Sequence, residues 1–151
     1  MMLKFLSTVV LAASLTFGVL PASADEKADV KTLVDNAVAH IQKVGNEQAY
    51  KDFADSNGAY RPGGMYLVVQ MASDGKMVAH AANPKLNGMA QYNMKDTDGK
   101  YFVREMIEAL KSKEDGWIDY KWVNPANKKI SQKHSYFKKI GEVVVLAGYY
   151  E

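Results

Sequence analysis

The chain has no cysteine among its 151 residues. That excludes disulfide staples, a thiol nucleophile, a thiolate zinc site and lipid attachment through an N-terminal cysteine, so the fold has to be held by packing. The 3 histidines, His40, His80 and His134, are far apart, and no carboxylate completes a metal-ligand spacing around them. A basic stripe is missing too. The 19 Lys and Arg are interspersed with 17 Asp and Glu, which excludes the footprint of a nucleic-acid binder. Lys128-Lys129 and Lys138-Lys139 read as solvated turn and strand-end charges. There is no internal repeat and no low-complexity tract. Ser, Asp and His are scattered through unrelated segments, without a nucleophile beside its base or paired acids, so no enzyme, no metal and no cofactor is expected.

The longest apolar run lies at the N-terminus, from Phe5 to Leu20, after Lys4 and before Pro21 and the small triplet Ala22-Ser23-Ala24. It is shorter than the roughly 20 residues a helix needs to cross a bilayer. Its charged start, apolar centre and A-x-A end are those of a secretory signal peptide over residues 1–24, with Asp25 as the mature N-terminus and the periplasm as destination. The alternative is an uncleaved anchor that continues as a helix. Residues 25–151 suit one domain with one core. The chain stops at Glu151 directly after an apolar strand, so no output domain is expected to follow.

Val30, Leu33, Val34, Ala37, Val38, Ile41 and Val44 recur at three- and four-residue spacing and predict a long amphipathic helix over 25–44, ended by Gly45. Asn46 is expected to cap a shorter helix that presents Ala49, Tyr50, Phe53 and Ala54 on one face. The nearly continuous apolar run Met65 to Met71 reads as a strand covered on both faces; Asp74-Gly75 turns the chain and Lys76 to His80 returns antiparallel. Residues 81–100 form a long loop, in which Met89 and Met94 could serve as a soft lid. Tyr101 to Lys111 is helical by pattern, and three strands close the chain: Trp117 to Val123, Ser131 to Ile140 and Glu142 to Tyr150. The sum is an α+β domain with a five-stranded antiparallel sheet of undetermined strand order.

Taken together, Tyr66-Leu67-Val68-Val69, Asp74 through His80, Asn83 through Gly88, Asp96 through Lys100, Gly116-Trp117 through Pro125, Lys133 to Tyr136 and Gly148-Tyr149-Tyr150 resemble the single Cache domain (sCache_2-like) of bacterial extracytoplasmic sensors, from about residue 27 to the end. The resemblance implies a PAS-like antiparallel sheet with a long N-terminal helix, and a site for small ligands, often short carboxylic acids. Lys133 matches the family's lysine ahead of a Ser-Tyr pair, and His80 falls where the family tends to place a histidine.

The candidate ligand-binding residues are Tyr66, His80, Trp117, Tyr120, Trp122 and Lys133. Alternation puts Ile118, Tyr120 and Trp122 on one strand face and Trp117, Asp119 and Lys121 on the other, so the three aromatics share a pocket only if a bulge intervenes. A phenol or indole donates to a carboxylate while its ring excludes water, although sheet packing also explains large aromatics. Lys133 and His134 point to opposite faces; a pocket lysine would await an anion, and an exposed one would pair across strands with Asp119. His80, half-protonated near neutral pH, could donate to the same anion. Arg61 is a candidate clamp, and His40 a boundary residue. The leading function is a periplasmic small-molecule binding or sensory module for a short organic acid, working with a membrane receptor or signalling partner. An interaction protein that pairs through its N-terminal helix with a receptor or with itself, as a homodimer, and a small hydrolase are the alternatives.

Overall fold

The structure is a computed structural model that describes residues 22–55 and 57–151, so the body of the expected leader, residues 1–21, lies outside the described residues. Helix α1 (Ala22–Val44) begins ahead of Asp25, and its first turn includes the expected cleavage site. Val30, Val34, Ala37 and Ile41 are buried along the predicted stripe, whereas Val44, at the last turn, is exposed. Helix α2 (Asn46–Ala54) follows at once; its N-cap is Gly45, not Asn46, and no side chain caps it. Ala49 and Phe53 carry its buried face.

Strands β1 (Val68–Met71) and β2 (Met77–His80) form a hairpin whose turn uses Gly75 at φ 69°, with the Asp74 carboxylate accepting the Lys76 N–H at 2.9 Å. Ladder pairing begins only at Val68, although Tyr66 and Leu67 ahead of it are buried. Helix α3 (Phe102–Ala109), β3 (Asp115–Val123), β4 (Ile130–Ile140) and β5 (Val143–Tyr150) complete the chain. The sheet is antiparallel with order β2-β1-β5-β4-β3. The last strand therefore sits in the centre, clasped between the hairpin and β4.

Each face of this sheet has its own apolar layer. On one, Leu67, Val69, Val145, Tyr136 and Tyr149 pack beneath α1 and α2. On the other, Val68, Ile118, Tyr120, Phe137 and Leu146 pack beneath Phe102, Val103 and Met106 of α3. Residues 81–100 lie along the free edge of β2, where the Met77 N–H donates to the Met89 carbonyl at 2.9 Å and Gly88 N–H to the Met77 carbonyl at 2.8 Å. The predicted loop is thus pinned to a sheet edge that would otherwise stay open to pairing.

Candidate functional site

The second layer is not filled. Between the sheet, α3 and the 81–100 segment lies a cavity of about 40 Å³, lined by Tyr66, His80, Tyr120, Trp122 and Lys133 together with Gln70, Gln91, Met94, Phe102 and other apolar side chains. Such a volume holds roughly three waters, or a solute of about four to six non-hydrogen atoms.

Lys133 is 3% exposed and its Nζ donates to the Tyr66 hydroxyl at 2.9 Å. Its charge also lies 4.1 Å from the centre of the Tyr66 ring and 5.1 Å from that of Tyr150. Among the described residues no carboxylate pairs with it, and no acidic side chain lines the cavity. Burial consequently pushes the Lys133 ammonium down to about 7. The cation is pointed inward by strand parity and accommodated by Gly148 on β5. A side-chain carbon there would approach the His134 carbonyl to 2.6 Å and Lys133 Cε to 2.9 Å.

The hydroxyls have a defined direction. Tyr150 donates to the Val123 carbonyl at 3.1 Å, so the Tyr66 proton goes to Tyr150 oxygen across 3.0 Å, and the Tyr66 oxygen accepts from Lys133. Tyr66 therefore holds the lysine. Tyr120 differs: its oxygen accepts from Ser135 at 3.2 Å, which leaves its own proton available. Burial raises both phenols well above the ordinary tyrosine range, keeping them neutral donors, and brings Tyr150 up to about 12. Phe102 stacks on Tyr120 with ring centres 4.1 Å apart, and the Trp122 ring stands edge-on to Phe102 at 5.5 Å.

His80 corrects an expectation. Burial first, then the nearby Lys133 charge, push its pKa down to about 4, so it is neutral rather than half-protonated near neutral pH. Its Nδ1 accepts the Asn83 backbone N–H at 2.9 Å, which places the remaining proton on Nε2 as a donor. The ring stacks on Tyr66 at 5.0 Å.

Five of the six candidate residues meet in this cavity; Trp117 does not. The β3–β4 register runs unbroken from Asp115 to Val123, so no bulge rotates Trp117 inward. Its ring lies on the α1 face, 40% exposed, against Tyr136 and near the Lys27 ammonium. His134 also points away, bridging Asp119 at 2.7 Å and Glu151 at 3.0 Å, and it takes the cross-strand role considered for Lys133. Of the two loop methionines, Met94 lines the cavity and Met89 is exposed. Arg61 does not line the cavity; it borders an adjoining groove with Met65 and Ala82, and Tyr66 lines both. His40 bonds Asp52 at 2.6 Å where α1 meets α2, a structural contact away from the cavity. Sequence reasoning missed Gln70, Gln91, Phe102, Ser135 and the hydroxyl of Tyr150. Only Gln70 carried a signal, as a polar residue inside a strand covered on both faces.

The sheet, the long first helix and the cavity under the second layer define an α+β domain of PAS-like Cache architecture. The dCache_2 family model, described as a Cache domain, matches residues 42–150, and the chain belongs to the Cache-domain family. The matching model is dCache_2, where the sequence suggested the sCache_2-like group. Cache domains are extracytoplasmic sensor domains that bind small ligands rather than catalyse reactions. A methyl-accepting chemotaxis protein of Vibrio parahaemolyticus has a solved structure similar to this fold, with TM-score 0.73 and 21% identity over 85% of this chain and 90% of that one. A periplasmic sensor domain of a chemotaxis protein superposes with TM-score 0.71 at 25% identity, over 87% and 99%. A Cache chemosensory domain whose structure was described for carboxylic acid recognition gives TM-score 0.67 at 24% identity, over 85% and 92%. Among curated proteins, the methyl-accepting chemotaxis protein McpP of Pseudomonas putida is 32% identical over 72 residues, 46% of this chain. The aligned part spans 13% of that receptor.

Proposed function

We propose that this chain is a periplasmic sensory domain that binds a short carboxylic acid, with Lys133 as the anion's counter-charge. The observation that carries the reading is a buried lysine, without an acidic partner among the described residues, in a cavity of about 40 Å³. A buried ammonium is costly unless paired, and an entering carboxylate supplies the pair. Around it stand neutral donors fit for the second oxygen: the Tyr120 hydroxyl, His80 Nε2–H and the Trp122 indole N–H. Phe102 and Met106 close the apolar side, which suits a short alkyl chain. The recognition of a carboxylic acid by a Cache domain of the same fold, and the local similarity to a chemotaxis receptor, support the assignment and a role in chemotaxis-type signalling through a membrane partner.

The test is a thermal-shift screen of purified, ligand-free protein against carboxylic acids of roughly two to four carbons, the size the cavity admits. At about 100 times its dissociation constant a true ligand adds about 2.7 kcal/mol, a shift of several degrees. A folded, ligand-free protein that no such acid stabilises would refute the proposal.

A further inference from the structure

We propose that the cavity has a second polar pole, the side-chain amides of Gln70 and Gln91, which binds a hydroxyl at the end of the acid remote from its carboxylate. This rests on the assignment of the Lys133 end to a carboxylate. Gln70 is 4% exposed and Gln91 2%, and both line the cavity. Yet neither Gln70 Oε1 nor Gln91 Nε2 has a hydrogen-bond partner among the described residues. Buried polar atoms in folded proteins are nearly always partnered, and those that are not call for an explanation.

The fold places these amides opposite the ammonium. Tyr66, which holds Lys133, and Gln70 lie on the same face of one extended segment, with Val68 between them as the cavity floor. Four residues of extended chain separate their Cα atoms by about 13 Å. Side chains reaching inward from both ends leave a gap that a short acid spans.

Two local features hold the second pole in place. The β1–β2 register slips between Val69↔Ala79 and Gln70↔Met77, a bulge beside Gln70 of the kind that re-aims side chains near binding sites. Met77, the cross-strand neighbour of Gln70, exchanges backbone hydrogen bonds with Gly88 and Met89, and these anchor the segment that delivers Gln91.

The chemistry of the two orphans selects the ligand group. One is an acceptor and the other a donor. A hydroxyl satisfies both at once, whereas a second carboxylate only accepts and an ammonium only donates. Half-turn rotation of both amides exchanges their roles and still leaves one donor and one acceptor. An unsubstituted alkanoate leaves both amides unpaired, so the site discriminates against it.

Isothermal titration of the full chain with 3-hydroxypropionate against propionate, and glycolate against acetate, decides the matter. In the pair of better length the hydroxy acid should bind about tenfold more tightly or better. Gln70→Leu and Gln91→Leu should each bring that ratio to within about twofold, because each removes one of the two groups that pair with the hydroxyl and, with it, the penalty an alkanoate incurs by leaving that group unpaired. Equal wild-type affinities for both members of each pair overturn the second pole and leave the carboxylate assignment standing, as does a ratio preserved in both variants. Absence of binding by all four acids, with no acid of the thermal-shift screen binding either, overturns both. Should a leucine variant fail to fold, the wild-type ratio and the milder Gln70→Met and Gln91→Met decide.

Discussion

Replacing Lys133 by methionine separates what the buried ammonium costs from what it does. Burial takes its pKa from 10.5 to about 7, and each unit is worth 1.36 kcal/mol. In the unfolded chain the lysine is fully protonated at pH 7, so the folded, empty protein carries a penalty of about 4 to 5 kcal/mol there. Methionine keeps the apolar stem and removes the charge. It also forfeits the hydrogen bond to Tyr66 and the attraction of the ring faces, each worth about 1 kcal/mol. A net stabilisation of about 2 to 3 kcal/mol remains, on the order of 5–10 °C in melting temperature at pH 7. The folded-state pKa is depressed, so wild-type stability rises as pH climbs from about 7 towards 10.5 and the penalty disappears. The advantage of the variant should therefore shrink with pH and vanish or reverse near pH 10. Meanwhile affinity for a short acid should fall by about tenfold to a hundredfold, the worth of a charged hydrogen bond. Circular-dichroism melts from pH 6 to 10, paired with titration calorimetry, measure both effects. A variant that is less stable than wild type at pH 7, or that binds acids unchanged, refutes the reasoning.

Four further outcomes are expected. Affinity for a short acid should be flat below about pH 7 and fall by up to about tenfold per unit above it, as the ammonium that attracts the anion is lost; calorimetry in two buffers of different ionisation enthalpy should register proton uptake near pH 7.5, and affinity rising with pH would contradict this. Neutral His80, with its pKa near 4, should add no step between pH 6 and 8. Gly148→Ala forces a carbon to within 2.9 Å of Lys133 Cε, so it should destabilise by about 1–3 kcal/mol and weaken acid binding, measured by chemical denaturation and calorimetry. Trp117→Ala should leave affinity within about twofold of wild type, whereas Trp122→Ala, which opens the aromatic wall against Phe102, should reduce it severalfold; equal losses would deny that β3 alternation separates the two faces.

Much of this site could be read before the chain was folded. Three- and four-residue spacing marked the buried side of α1, and a period of two separated Tyr120 and Trp122 from Trp117. The same alternation set Lys133 and His134 apart, and the Cache resemblance chose the lysine. Gln91 escaped because an aperiodic segment gives no hint of its inward side chain. Tyr150 escaped because its role depends on Tyr66 and Val123, one far away in the chain and the other on a different strand. The protonation of His80 was misjudged for a related reason: its ordinary pKa is a property of imidazole in water, and burial beside a cation is not.

The sequence by itself determined the elements, their order and the face to which each side chain belongs, because helical and extended backbones repeat with periods fixed by covalent geometry. Tertiary structure decided which faces meet. Inserting β5 between β1 and β4 sets Val68 against Leu146 and Lys133 against Tyr150, and brings the ammonium of β4 to the phenol of Tyr66, just ahead of β1. Such pairings join residues remote in the chain, and desolvation, which makes a lysine titrate near 7, arises only once those layers close over it.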